Sequence, residues 1–272
     1  MNADWIIPDW PAPGNVRAVC TTRAGGCSRP PYDSLNLGDH VGDEGADVAQ
    51  NRANLQRQIG ARPVFLKQVH GIEITQLFTD TADGADGADG VDGADSTVAD
   101  GCLTRASGIA CTIMVADCLP VLLTNLKGDF VAAAHAGWRG LAGAGSVGVL
   151  EAVCQAIESN APGRPAGELL AWLGPCIGAT RFEVGDEVLN AFVRHDAAAF
   201  SMFKPVSPGK WLADLQGLAR LRLRALGVNR IFGNDGSLGW CTASQPSRFF
   251  SHRRDHVALG GSGRMAACIW LD

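Results

Sequence analysis

The chain has 272 residues, 46% of them hydrophobic and 19% charged, with a formal net charge of −5. That apolar fraction excludes disorder, collagen-like repeats and coiled coil for the chain as a whole. The acidic balance leaves no basic field to hold nucleic acid or anionic lipid, so neither a nucleic-acid nor a membrane partner is expected.

In chain order, runs rich in Val, Ile, Thr and Phe alternate irregularly with stretches of helical period. The pattern predicts a strand at 16–22, a helix at 47–58, strands at 64–70 and 72–78, then strands at 109–116, 120–124 and 130–135. It continues with a helix at 146–158, a strand at 169–173, helices at 185–195 and 214–226, and strands at 230–232 and 265–271. The helix at 214–226 is the clearest: Leu215, Leu218, Leu221, Leu223 and Leu226 repeat between a capping Asp214 and a stopping Gly227. The runs at 109–116 and 130–134 are nearly continuous in apolar residues, as in strands covered on both faces. A layered core with central strands covered by helices is expected, in one domain. The Asp-Gly-Ala repeat at 83–95 lacks the Glu that closes an EF-hand loop, and reads as a flexible, solvated acidic loop.

The first residues lack the basic and apolar regions of a secretory signal, and no run of 18 apolar residues occurs. A reducing cytoplasm is therefore the expected location. The nine cysteines, odd in number and scattered, do not form a disulfide framework on this reading. Most are expected to be small buried hydrophobes.

Three segments carry polar residues that a core strand does not need. They are Lys67-Gln68-Val69-His70-Gly71, Ala116-Asp117-Cys118-Leu119-Pro120 and Ala134-His135-Ala136-Gly137-Trp138-Arg139-Gly140. Each sets a His or Cys where a strand gives way to a loop, a common place for functional groups. Taken singly, His70 and His135 read as hydrogen-bonded structural histidines and Cys118 as a buried thiol. Together they make a three-ligand set for Zn²⁺ or a copper ion, leaving the open position of a catalytic site. Two further segments are Leu173-Gly174-Pro175-Cys176-Ile177-Gly178 and Phe249-Phe250-Ser251-His252-Arg253-Arg254-Asp255. In the second, His252 and the arginines suit an anion or, equally, a salt-bridged turn.

These segments, with Thr21-Thr22-Arg23-Ala24-Gly25-Gly26, Ser34-Leu35-Asn36-Leu37-Gly38 and Phe182-Glu183-Val184-Gly185, occur in an order that resembles the multicopper polyphenol oxidoreductase, or laccase-domain, family. The family is also called peptidoglycan editing factor. The resemblance covers nearly the whole chain, and Asp100-Gly101-Cys102-Leu103-Thr104 is similar to an Asp-containing segment of the family. It implies an α+β fold with mixed β-sheets layered between helices. It also implies metal ligands at His70, Cys118 and His135, with zinc or sometimes copper, these three being catalytic as well. The implied activity is phosphorolysis of adenosine, inosine, guanosine and methylthioadenosine, with deamination of adenosine. Purine nucleosides and phosphate are then the partners; a monomer is the default expectation, since nothing in the sequence bears on oligomeric state. Arg23, Arg139 and Arg253 become candidate phosphate donors, and Asn36, Gln68 and Asp117 candidate contacts to base or ribose. Six histidines cannot supply the three-copper cluster of a true laccase. Two other classes remain open: a cysteine hydrolase editing peptidoglycan precursors, with Cys118 as nucleophile, and a metal or purine sensor without turnover.

Overall fold

The structure is a computed structural model, and it describes residues 2–79, 97–145, 147–160 and 166–272. The acidic repeat at 83–95 lies outside the described residues. In chain order the elements are β1 (Val16–Cys20), α1 (Gly45–Ile59), β2 (Arg62–Val64), β3 (Ile74–Leu77), β4 (Gly101–Thr104), β5 (Ile109–Val115), β6 (Leu119–Asn125), β7 (Val131–Ala136), α2 (Trp138–Ala142) and α3 (Val149–Asn160). They continue with β8 (Leu169–Leu173), β9 (Glu183–Gly185), α4 (Asp186–Val193), β10 (Phe203–Ser207), β11 (Lys210–Ala213), α5 (Leu215–Ala225), β12 (Arg230–Gly233) and β13 (Met265–Leu271).

Two mixed sheets stack face to face. One has the order β1-β13-β5-β2 and the other β12-β8-β6-β7-β4-β3. Alternation along each strand sorts the side chains between layers, because successive residues point to opposite faces. Cys111, Ile113 and Val115 of β5 meet Leu122, Val131, Ala133 and Trp172 in the apolar layer between the sheets. Ala110 and Met114 point the other way and pack with Leu55 and Ile59 of α1. Leu119, Val121, Leu123, Ala132 and Ala134 cover the far face of the larger sheet, against α3, α4 and α5. Helix, sheet, sheet and helix thus follow one another as four layers. This is the expected mixed-sheet α+β architecture.

The side chain of Asp214 caps α5 by accepting from the Gly217 amide, and Gly227 ends it with a φ of 83°. Three expectations shift. The strand expected over 64–70 stops at Val64, because the chain must leave the smaller sheet there to reach β3 in the larger one. The helix expected from 146 begins at Val149. The three-stranded sheet β10-β11-β9 was not anticipated, since β10 is largely exposed and its alternation is weak. Among the described residues no helix is long and apolar enough to cross a membrane.

Candidate metal centre and cavity

The chain passes from the smaller sheet to the larger one at two places on the same end of the stack: between β2 and β3, and between β5 and β6. His70 sits in the first crossing and Cys118 in the second. His135 lies at the end of β7, opposite Pro120 of the neighbouring strand. Register therefore brings the three together, although 48 and 17 positions separate them in sequence. Their ligand atoms all lie within 4.8 Å of one another, with Cys118 Sγ 3.6 Å from His70 Nε2. The two imidazoles meet edge to face at 4.7 Å.

Local backbone is shaped for this cluster. Among the described residues only His70 (φ 62°) and Asp117 (φ 86°) are non-glycine positions in the left-handed region, and both are here. Such positions cost on the order of 1–3 kcal/mol and persist where the surroundings fix them. At Gly137, which opens α2, a Cβ would stand 2.6 Å from His70 Cδ2 and 3.1 Å from Cys118 Sγ. Only glycine leaves the cluster its space.

Asp100, fully buried at the start of β4, holds two ligands at once. Its Oδ1 accepts from the His70 amide (2.9 Å) and from His135 Nδ1 (2.8 Å). Its Oδ2 accepts from the amides of Val69 (3.1 Å) and Gly71 (2.6 Å). The Nδ1 bond fixes the His135 tautomer and turns Nε2 toward the other donors, as partners of metal-binding histidines do. Sequence reading had not assigned Asp100 a role at the site, and the Asp-containing segment at 100–104 was the only pointer to it.

Electrostatics follow from proximity. Burial alone would raise the Cys118 thiol, but His135 and His70 outweigh it and bring it down to about 6. Burial likewise disfavours charge on His135, yet Cys118 and Asp100 push that imidazole up to about 9. The residues fit a metal by donor chemistry. Two imidazole nitrogens and a readily formed thiolate suit Zn²⁺ or copper, whose bond lengths of about 2.0–2.3 Å set donors roughly 3–4 Å apart.

The cluster opens into a cavity of about 460 Å³. Met114, Ile177, Phe182 and Leu215 are among its apolar lining, and Arg139, Arg253 and Arg264 bring cations to it. Burial disfavours charge on the His252 imidazole that also lines it. Of the expected substrate contacts, Gln68, Asp117, Arg139 and Arg253 line this space. Gln68 already exchanges two hydrogen bonds with the backbone of Met114. Asp117 accepts from Thr242 Oγ1 (2.5 Å) and from the Arg253 amide (2.7 Å), tying two loops to the cavity wall. The Arg139 guanidinium lies 4.6 Å over the Trp138 ring, and Arg253 donates to the Glu183 carbonyl.

The two remaining expectations are corrected. Arg23 lies away from the cavity, bonded to Asp33 and to the Pro246 carbonyl. Asn36 is wholly buried, and its amide is spent on Gly38, Asp43 and the Arg264 backbone. The turn at 252–255 divides between its two readings. His252 and Arg253 face the cavity, while Arg254 pairs with Asp255 and braces the Thr242 and Phe249 carbonyls. Arg264 had been overlooked, because a lone Arg before a strand forms no local motif. Against the expectation that most cysteines are buried, Cys27 is exposed.

A His-Cys-His cluster that could hold a metal, at the crossing end of two stacked mixed sheets, marks an α+β protein with a candidate metal centre, and the comparisons make the class specific. Residues 17–272 match the family model described as "Multi-copper polyphenol oxidoreductase laccase", and the chain belongs to that family. It is 46% identical over 272 residues to "Purine nucleoside phosphorylase PA4543" of Pseudomonas aeruginosa, covering 100% of this chain and 99% of that protein. It is 45% identical over 269 residues to "Purine nucleoside phosphorylase YfiH" of Escherichia coli, covering 98% of each. Among solved structures, Neisseria meningitidis protein NMB0706 superposes with a TM-score of 0.83 at 40% identity, over 99% of both chains. YlmD of Geobacillus stearothermophilus superposes with a TM-score of 0.80 at 31% identity, over 95% of this chain and 92% of that one.

Proposed function

We propose that the protein is a metal-dependent purine nucleoside phosphorylase, converting a nucleoside and phosphate into free base and ribose 1-phosphate. One observation carries the reading: the three-donor cluster opens onto a cavity lined by apolar side chains and by three arginines that form no ion pair among the described residues. Its volume is in the range of small-molecule sites. The full-length relatives named purine nucleoside phosphorylase support the same assignment.

In this reading His70, Cys118 and His135 hold the metal, with zinc favoured by the mixed nitrogen and sulfur donors and copper second. When bound, the metal supplies Lewis-acid stabilisation of developing negative charge. The chain's own residues do the rest. Met114, Ile177, Phe182 and Leu215 receive the flat base, while Gln68 and Asp117 fix the rim beside base and ribose. Arg139 and Arg253 bring positive charge to a phosphate whose oxygen bonds to C1′ as the C1′–N9 bond breaks and its electron pair leaves with the base. Deamination of adenosine, water replacing the 6-amino group with release of ammonia, is the lesser part of the proposal.

The test is incubation of purified protein with adenosine, with and without phosphate, and chromatography of the products. Adenine and ribose 1-phosphate should form only when phosphate is present, and inosine in either case reads out deamination. No phosphate-dependent adenine above background would contradict the assignment.

A further inference from the structure

The arginines of the cavity differ in what already satisfies them. Arg139 rests on an indole, and Arg253 donates to the Glu183 carbonyl. Arg264 is half-buried and lines the same cavity as the metal-ligand cluster. Its Nη1 donates to the Ser262 (2.8 Å) and Gly263 (3.2 Å) carbonyls. Its Nε and Nη2 have no hydrogen-bond partner and are not sealed from the cavity, and no carboxylate pairs with it among the described residues. Asp117 and Cys118 act on it through space from the same cavity, but neither touches it. A partly buried guanidinium without a contacting anion is costly unless one completes it.

This side chain is also held with care. The Arg264 amide donates to Asn36 Oδ1 (2.8 Å), and its carbonyl accepts from the Leu37 amide (3.0 Å). The stem then passes over Gly38, where a Cβ would stand 2.7 Å from Arg264 Cγ. Asn36 is itself fixed by Gly38 and Asp43. The segment at 34–38, which contributes no side chain to the cavity lining, thus grips one residue that does.

We propose that Arg264 is the principal oxyanion-binding residue of this cavity, its free Nε–Nη2 edge receiving two oxygens of inorganic phosphate, and that the 34–38 segment is its positioning platform. A guanidinium fork matches a tetrahedral oxyanion bidentately, which an ammonium cannot do. Naming the ligand phosphate rests on the phosphorylase reading, whereas an oxyanion seat does not.

The test compares wild type with Arg264→Gln, Arg264→Lys and Gly38→Ala, measuring calorimetric binding of inorganic phosphate to the purified proteins, and KM for phosphate and for inosine. Loss of a charge-assisted pair is expected to weaken phosphate binding about 10- to 100-fold in Arg264→Gln. KM for inosine should hold within about twofold. Arg264→Lys should recover only part of the affinity, because the charge returns without the fork. Gly38→Ala, which leaves the guanidinium intact, should raise KM for phosphate selectively, a split that general loss of structure would not produce. Phosphate binding by folded Arg264→Gln equal to wild type would overturn the proposal. Phosphate binding through Arg264 in a protein without phosphorolysis would sink the phosphorylase reading alone.

Discussion

Cys111 and Cys118 are neighbours along the chain, the first inside β5 and the second in the turn that follows it, and they have opposite chemistry. Cys111 faces the apolar layer between the sheets with Cys102 beside it, and burial drives its thiol far above the ordinary range. Cys268 on the neighbouring strand is pushed up to about 12 by the same cause. Cys118 also pays for desolvation, but His135 and His70 stand within reach and reverse the outcome, to about 6. Residue type is the same, Cys111 is fully buried and Cys118 keeps partial exposure to the cavity. The difference in chemistry comes from where the chain crosses between sheets. Only at that end do two imidazoles, a buried carboxylate and a side-chain-free glycine surround a sulfur.

Substitution should break the comparison most strongly at the sulfur itself. Cys118→Ala is expected to lower phosphorolysis by at least about a thousandfold, the scale on which removing an acting catalytic group is felt. Its melting temperature should stay close to that of the wild type. Cys111→Ala should do the reverse, keeping activity while losing about 1 kcal/mol of stability, readable by denaturant melts. Full activity in folded Cys118→Ala would remove Cys118 from the chemistry.

Asp100→Asn tests the carboxylate shared by the two histidines. An amide nitrogen cannot accept from the Val69 and Gly71 amides or, in the flipped rotamer, from His70 and His135. Metal affinity, read by competition with a chromophoric chelator, should fall about 10- to 100-fold, as is usual for groups that orient ligands. An unchanged affinity would mean that the cluster is set by the backbone alone.

A subtler contrast appears with pH in metal-free protein. A depressed thiol is deprotonated above its folded-state value, and that advantage is lost as pH falls through it. Alkylation of Cys118 should therefore be rapid at neutral pH, with a midpoint near 6. Cys111, Cys268 and Cys20 should stay unmodified throughout in the folded protein. A Cys118 midpoint near that of a free thiol would mean that the histidines do not act on it.

Much of this was legible from residues alone where one short segment carried the whole signal. β8 and β13 match their predicted ends, because each is an uninterrupted apolar run covered on both faces. α5 was readable from one cap and one leucine stripe. The candidate metal site was visible as three strand-end motifs of similar context, although spacing could not show that they meet. Sequence could not say that Arg23 would turn to Asp33, or that Asn36 would be spent on backbone, since an amide or guanidinium in a motif looks the same either way. Asp100 and Arg264 were missed for the opposite reason. Each acts through partners distant in sequence, His70 and His135 for the first and Asn36 for the second.

The most direct measurement is metal content together with phosphate-dependent release of base from inosine, before chelation, after it, and after restoring the ion. A metal held by His70, Cys118 and His135 predicts about one ion per chain, loss of phosphorolysis on chelation, and recovery on adding zinc. Undiminished phosphorolysis by a protein stripped of metal would contradict the account.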